Sequence, residues 1–197
     1  GWFGFNSGLG GPDAGQALTN TFLAGAAGLM GWMITEVVRG GKPTALGMCS
    51  GIVAGLVAIT PAAGFVGTMS SIVFGLAAGM ICFFAIQLKE RFGYDDSLDV
   101  VGIHMVGGIV GGLLIGFFAS SDAFTGEFEE AGATLLFNQF ISIVVVVVYS
   151  FVITYVIARI LDATVGLRVS DEVEQSGLDN AEHGETGYIN DGSFTRT

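Results

Sequence analysis

Apolar residues along this chain come in long blocks, not in the short alternations of strands or the stripes of surface helices. Five blocks stand out, at about 18–38, 44–60, 66–88, 98–119 and 136–160. A helix needs about twenty apolar residues to cross a hydrocarbon core of roughly 30 Å. The buried helices of water-soluble domains are usually shorter and carry a polar stripe at a 3.6-residue period. Here the runs 72–86 and 141–149 contain no charged residue at all, and Glu36 is the one charge inside the first block. Pro61 closes the second block, and residues 1–9 read as the end of an earlier helix. The pattern therefore predicts an all-α, polytopic membrane helix bundle over 1–165. A polar, acidic tail follows over 166–197, ordered only against the membrane domain or a partner.

Composition strengthens the membrane reading. Of the 197 residues 51% are hydrophobic and 13% charged, and mean hydropathy is +0.69. Soluble domains carry nearer a quarter charged residues, because their surfaces face water. Glycine is abundant at 32 residues and proline scarce at 3. In a bilayer, glycine lets helices approach closely while lipid receives the apolar faces.

Charge adds an orientation. The net charge of −11 comes mostly from acidic runs at 171–185 and 122–130. No basic patch exists to hold nucleic acid. Arg39 and Lys42 follow the first block, Lys89 and Arg91 follow the third, and Arg159, Arg168 and Arg196 lie at or beyond the end of the fifth. The links 9–17, 61–65 and 120–135 contain no Lys or Arg. Positive residues are retained on the cytoplasmic side, so 39–43, 89–97 and the tail are expected there, with the other links outside. Cys49 and Cys82 lie in apolar runs far from any His and read as packing residues. No hydrolytic or redox constellation is present, so neither an enzyme nor a cofactor is expected.

His104 is the one ionisable side chain in the middle of an apolar block. Such a residue faces a protein interior or a watery path, because placing it in hydrocarbon costs a few kcal/mol or more. It is either a histidine hydrogen-bonded between packed helices or an imidazole lining a pore. Gly107, Gly108, Gly111, Gly112 and Gly116 follow it, and 104, 108, 111 and 112 share a face at helical spacing. That nearly bare face suits close helix packing and a narrow lumen alike. Asp95, Asp96 and Asp99 precede the block, where Asp99 is placed to cap the helix N-terminus. Glu36, three residues before Arg39, reads as half of an interface salt bridge.

Several strings together resemble the ammonium transporter family, also called Amt, Mep and Rh. They are Gly1-Trp2-Phe3-Gly4-Phe5-Asn6-Ser7-Gly8, Arg39-Gly40-Gly41-Lys42-Pro43-Thr44, and the run from Gly51 to Gly64 that contains Thr60-Pro61-Ala62-Ala63. Arg91-Phe92-Gly93-Tyr94-Asp95-Asp96, Asp99-Val100-Val101-Gly102-Ile103-His104 and the tail strings Thr164 to Val169 and Glu182-His183-Gly184-Glu185 complete the set. The matches run through the chain in family order and are specific to bacterial-type members.

The resemblance implies eleven membrane helices in two inverted halves, assembled as a homotrimer with a pore in each subunit. This chain would hold the end of helix six and helices seven to eleven. That agrees with an opening inside an apolar stretch without an initiator methionine, expected of a fragment. By the same resemblance His104 is the second of a pair of pore histidines, and Phe5 is one of two phenylalanines gating the pore from outside. Trp2 and Asn6 accompany Phe5, while Asp96 and Asp99 form the structural, acidic cytoplasmic end of the histidine helix. Leu9 stands where many relatives carry a serine of the outer ammonium site. Met105 replaces a glycine, so its thioether faces away from the lumen or narrows it.

The implied function is transport of ammonium or ammonia, with methylammonium as analogue, across the inner (plasma) membrane. Aromatic faces hold the cation at the mouth by cation–π attraction, and histidines handle the proton inside. The family tail meets a PII-type nitrogen-signalling protein at the cytoplasmic face. The competing readings are an ammonium sensor or receptor and a Rhesus-type gas channel.

Overall fold

The structure is a computed structural model that describes residues 1–8, 13–119 and 132–185. Leu9, the acidic run at 122–130 and Arg196 lie outside the described residues. Packing divides the chain into two compact units, Gly1–Val146 and Val147–Thr197, the division falling inside one long helix.

The first unit is built on α2 (Ala14–Val38), which follows the short α1 (Trp2–Ser7) and packs against both α3 (Ala45–Ile59) and α4 (Thr68–Ala85). The short α5 (Leu88–Phe92) extends α4. Next comes a π-helical turn, Val101–Met105, that runs directly into α6 (Val106–Phe118). The first part of α7 (Ala133–Thr164) closes the unit.

Four helical segments are long and apolar enough to cross a membrane: Ala14–Val38, Thr68–Phe92, Val101–Phe118 and Ala133–Thr164. The block expected at 44–60 yields α3, whose 15 residues rise about 22 Å at 1.5 Å per residue. Pro61 supplies no N–H to continue the ladder, and residues 61–65 fold into turns. These turns are pinned from α2. The buried Asn20 amide donates to the carbonyls of Ala63 (2.9 Å) and Val66 (2.8 Å) and accepts from Gln16 (3.3 Å), which also donates to Thr68 (2.9 Å). A backbone bridge between Val66 and Ala119 ties this turn to the far end of α6.

Lipid gives helices no hydrophobic reason to associate, so close van der Waals contact must do it. The core is accordingly made of small residues. Ala24, Ala62 and Ala63 surround Phe74 at one level, and Ala54, Ala58 and Ala78 surround Trp32 at another. Gly28 is central: a Cβ there would meet the Gly51 carbonyl and lie 2.9 Å from Gly55 backbone atoms. On its other side, a Cβ at Gly79 would strike the Gly28 carbonyl.

The opposite end is built differently from the salt bridge expected at Glu36. After α2, Gly40 at φ +83 lets Gly40 N–H bond to the Val37 carbonyl and Gly41 N–H to the Glu36 carbonyl, the hydrogen-bond pattern of a Schellman stop. The Glu36 carboxylate then accepts from the Thr44 amide (3.0 Å) and hydroxyl (2.8 Å), while Thr44 caps α3 by accepting from Gly47 N–H. Thr44 is close enough to offer two donors, so Glu36 anchors the link itself. Arg39 instead lies over the Phe84 ring of α4, at 5.9 Å.

The second unit holds the remainder of α7, then α8 (Asp171–Ser176) and α9 (Leu178–His183). Its large apolar residues, Phe151 and Tyr155 among them, are exposed. Gly166, at φ +81, follows the end of α7, Ser170 caps α8 by accepting from Val173 N–H, and Arg168 pairs with Glu174 at 3.6 Å.

Candidate functional site

His104 lies in the π turn and is exposed on this chain, as is Met105 beside it. A π turn inserts one residue relative to an α-helix and is common where a side chain must be aimed. The turn rests on α4: a Cβ at Gly102 would meet Ile86, and the Cys82 thiol lies 3.8 Å from the Ile103 carbonyl. Cys82 is thus a buried packing residue, whereas Cys49 is exposed.

Facing His104 is Trp2 of α1, its ring nearly parallel (20°) with centroids 6.3 Å apart. The indole is held in place, because its Nε1–H donates to the Thr60 hydroxyl (2.7 Å), which in turn donates to the Leu56 carbonyl (2.8 Å). The turn after α3 therefore orients an aromatic face toward the imidazole. Phe5, one helical turn beyond Trp2 on α1, is 70% exposed. It is Phe3 that stacks on Phe22 of α2, with centroids 6.5 Å apart. Asn6 donates to the Thr21 hydroxyl (3.0 Å) and fastens α1 to α2. Its buried Oδ1, like the Ser7 hydroxyl, has no hydrogen-bond partner among the described residues.

Of positions 108, 111 and 112, expected to share a face with His104, two are taken up by packing against different helices. Gly107 and Gly111 abut α3, at Val57 and Ala58, while Gly112 and Gly116 meet Ile143 and Leu136 of α7. Gly108 alone of the five has open space beside it. The open strip next to His104 is therefore narrower than the sequence suggests, with the remaining glycines used for packing.

The roles of the two carboxylates also differ from expectation. Asp96, not Asp99, caps the histidine helix: its oxygens accept from Val100 N–H and Val101 N–H, both at 2.8 Å. Asp99 stands at φ +56, outside helical geometry, and pairs with Lys89 at 2.5 Å. A cap must precede the first helical residue and reach back over its amides, which the placement of Asp96 permits. The sequence pattern did not single out Thr60 or the role of Lys89. A hydroxyl directly before Pro61 was the available signal for the first.

The site thus combines one uncovered imidazole, an aromatic face beside it and a bare glycine strip on an apolar helix. No group of three or more His, Cys, Asp or Glu residues able to hold a metal occurs among the described residues. An apolar cleft of about 470 Å³ opens separately between α1, α2 and α3, sharing Trp2 with the site.

Comparison with known proteins agrees on one family. The model of the Ammonium Transporter Family matches residues 1–188. An ammonium transporter of Mycobacterium tuberculosis is 46% identical over 200 residues, covering 95% of this chain and 42% of its own length. The crystal structure of Candida albicans Mep2 aligns with a TM-score of 0.79 at 36% identity, over 87% of this chain and 40% of that one. A structure described as a sensor Amt protein aligns at 0.81 with 28% identity, over 92% and 45%. The chain spans about half the length, or less, of the curated relatives it matches, and those relatives are named as transporters rather than enzymes. With the helix order, the lone histidine and the sequence match in accord, the chain belongs to the ammonium transporter family.

Proposed function

We propose that this chain supplies one side of a pore that carries ammonium or ammonia across a membrane, with His104 lining the lumen and assisting proton handling. The observation that carries the reading is His104 itself. It is an exposed imidazole in an apolar spanning helix, faced by the fixed ring of Trp2. Phe5, further along the same helix face, is the candidate for the pore mouth, where an aromatic face attracts a cation.

The rest of the assignment follows the resemblance. The exposed apolar residues along most of α7 suit contact with lipid or with other subunits of a homotrimer. The distribution of Lys and Arg supports a tail on the cytoplasmic side of the plasma membrane, where a PII-type nitrogen-signalling protein is the proposed partner. A sensor role is the second reading, favoured by the likeness to the sensor Amt protein.

The test is His104→Ala in the full-length protein, reconstituted in liposomes. Uptake of methylammonium should change by about a hundredfold or more, the scale on which a positioned proton-transfer group acts, while assembly is retained. Unchanged uptake and current would sink the pore assignment. A wild-type protein that binds ammonium but carries none would favour the sensor.

A further inference from the structure

We infer that Lys89 is a positioning residue for His104, acting through Asp99 and the π turn. The inference rests on the reading of His104 as a pore side chain. The Lys89 ammonium lies 2.5 Å from Asp99 Oδ1 and 3.1 Å from the Asp96 carbonyl oxygen, so it grips both ends of the link that enters the turn. The two side chains are 28% and 22% exposed. Partial cover of this kind separates the pair from the freely solvated ion pairs that contribute little.

Asp99 is the residue that needs holding. It is the one non-glycine residue with positive φ among those described, at +56. In that region the Cβ crowds the following carbonyl, so an L-residue persists there only where its surroundings enforce it. Aspartate tolerates it better than most, and Lys89 supplies the enforcement.

The brace continues from there to the imidazole. The Asp96 carboxylate takes the N–H groups of Val100 and Val101, and the Asp99 carbonyl takes the N–H of Ile103 at 2.8 Å. Every step from Lys89 to the residue before His104 is thus hydrogen-bonded. The π turn is a one-residue slip from α-helical register, and successive residues of an α-helix point about 100° apart. The π-register bond itself runs from Val106 N–H to the Val101 carbonyl, just beyond the braced residues; a link freed at Asp99 can let it relax to α-helical register, and that slip would swing the imidazole away from the Trp2 ring. Lys89 thereby determines which way His104 faces, without touching it or the transported species.

The experiment compares Lys89→Met, Lys89→Arg and His104→Ala in the full-length transporter, each shown by size exclusion to assemble. Two quantities are read: methylammonium uptake in proteoliposomes, and the ¹⁵N resonances of labelled histidine, with His104 assigned by its loss in His104→Ala. Lys89→Met should shift the His104 resonances and lower uptake by up to about a hundredfold, the order of loss that a roughly 1 Å misplacement of a positioned group can cause. Lys89→Arg, which keeps the charge and both donors, should restore the resonances and most of the uptake. A role in general stability alone would leave the imidazole signals of the assembled protein in place. Unshifted His104 resonances in assembled Lys89→Met protein overturn the inference. Should that variant not assemble, Lys89→Gln and Asp99→Asn are read by the same criterion. Shifted resonances together with normal uptake in His104→Ala would uphold the positioning and remove the pore assignment instead.

Discussion

Two glycine-to-alanine substitutions, one on α2 and one on α6, should differ sharply in their effect on stability, and the contrast tests how this bundle is held together. Gly28 lies where α2 meets both α3 and α4, and the atoms a new Cβ would strike belong to the Gly51 and Gly55 backbone. Backbone cannot rotate aside as a side-chain tip can, so α2 and α3 would have to separate. Overpacking of this kind costs about 1–3 kcal/mol, against a helix-propensity gain of about 0.5–1 kcal/mol for replacing glycine by alanine. The net expectation for Gly28→Ala is a loss centred near ~1 kcal/mol and reaching about 2.5 kcal/mol. At Gly108 a Cβ meets nothing within 4 Å, so Gly108→Ala should match or slightly exceed the wild type in stability. In the full-length protein the same methyl group projects into the strip beside His104, and uptake should fall. Reversible unfolding in mixed detergent micelles measures the first quantity, and methylammonium uptake in liposomes the second. Equal stability of Gly28→Ala and wild type would refute the argument that backbone contact at this crossing limits side-chain size. A large destabilisation by Gly108→Ala would refute the open strip.

Two further outcomes are expected. Asp96→Ala removes acceptors for two helix-terminal N–H groups and should cost about 1–2 kcal/mol, seen as earlier unfolding in the same micelle assay, with Asp96→Asn retaining part of it. The 197-residue chain alone, inserted into liposomes, should give no ammonium-dependent current, because the exposed face of His104 is left uncovered by the described residues; a current from the isolated piece would overturn the half-pore reading.

The open face of His104 gains its meaning from the length comparison. An imidazole exposed along an apolar helix is costly if it faces lipid. The chain spans about half, or less, of relatives in the same family. Under the proposed function that face meets the remaining part of the transporter, and the exposed large apolar residues of α7 are covered by lipid or by neighbouring subunits. The same logic applies to Asn6, whose buried Oδ1 lacks a partner among the described residues. A buried acceptor left unsatisfied is costly, and a donor from beyond the described residues would complete it.

The sequence by itself determined the class of protein and the candidate residue. Bilayer thickness demands long uninterrupted apolar blocks, and four of the five expected segments meet that demand on their own, so it is legible without tertiary structure. The isolation of His104 within such a block is legible for the same reason, since hydrocarbon makes every ionisable residue conspicuous. Tertiary structure decided the rest. Asp96 and Asp99 are alike in a string of letters, but only one can reach back over the first amides of the histidine helix. Glu36 had Arg39 within helical spacing, yet the fold of the 39–44 link brought Thr44 with two donors instead. The π turn changes the face on which His104 projects relative to Gly108 and Gly112 of α6, and a one-residue slip in a hydrogen-bond ladder has no signature in residue types. Trp2 meets His104, and Thr60 holds Trp2, only because α1, α3 and α6 converge around small residues that let them approach. Composition prescribes that such an approach is possible; where the helices touch depends on which backbones come together.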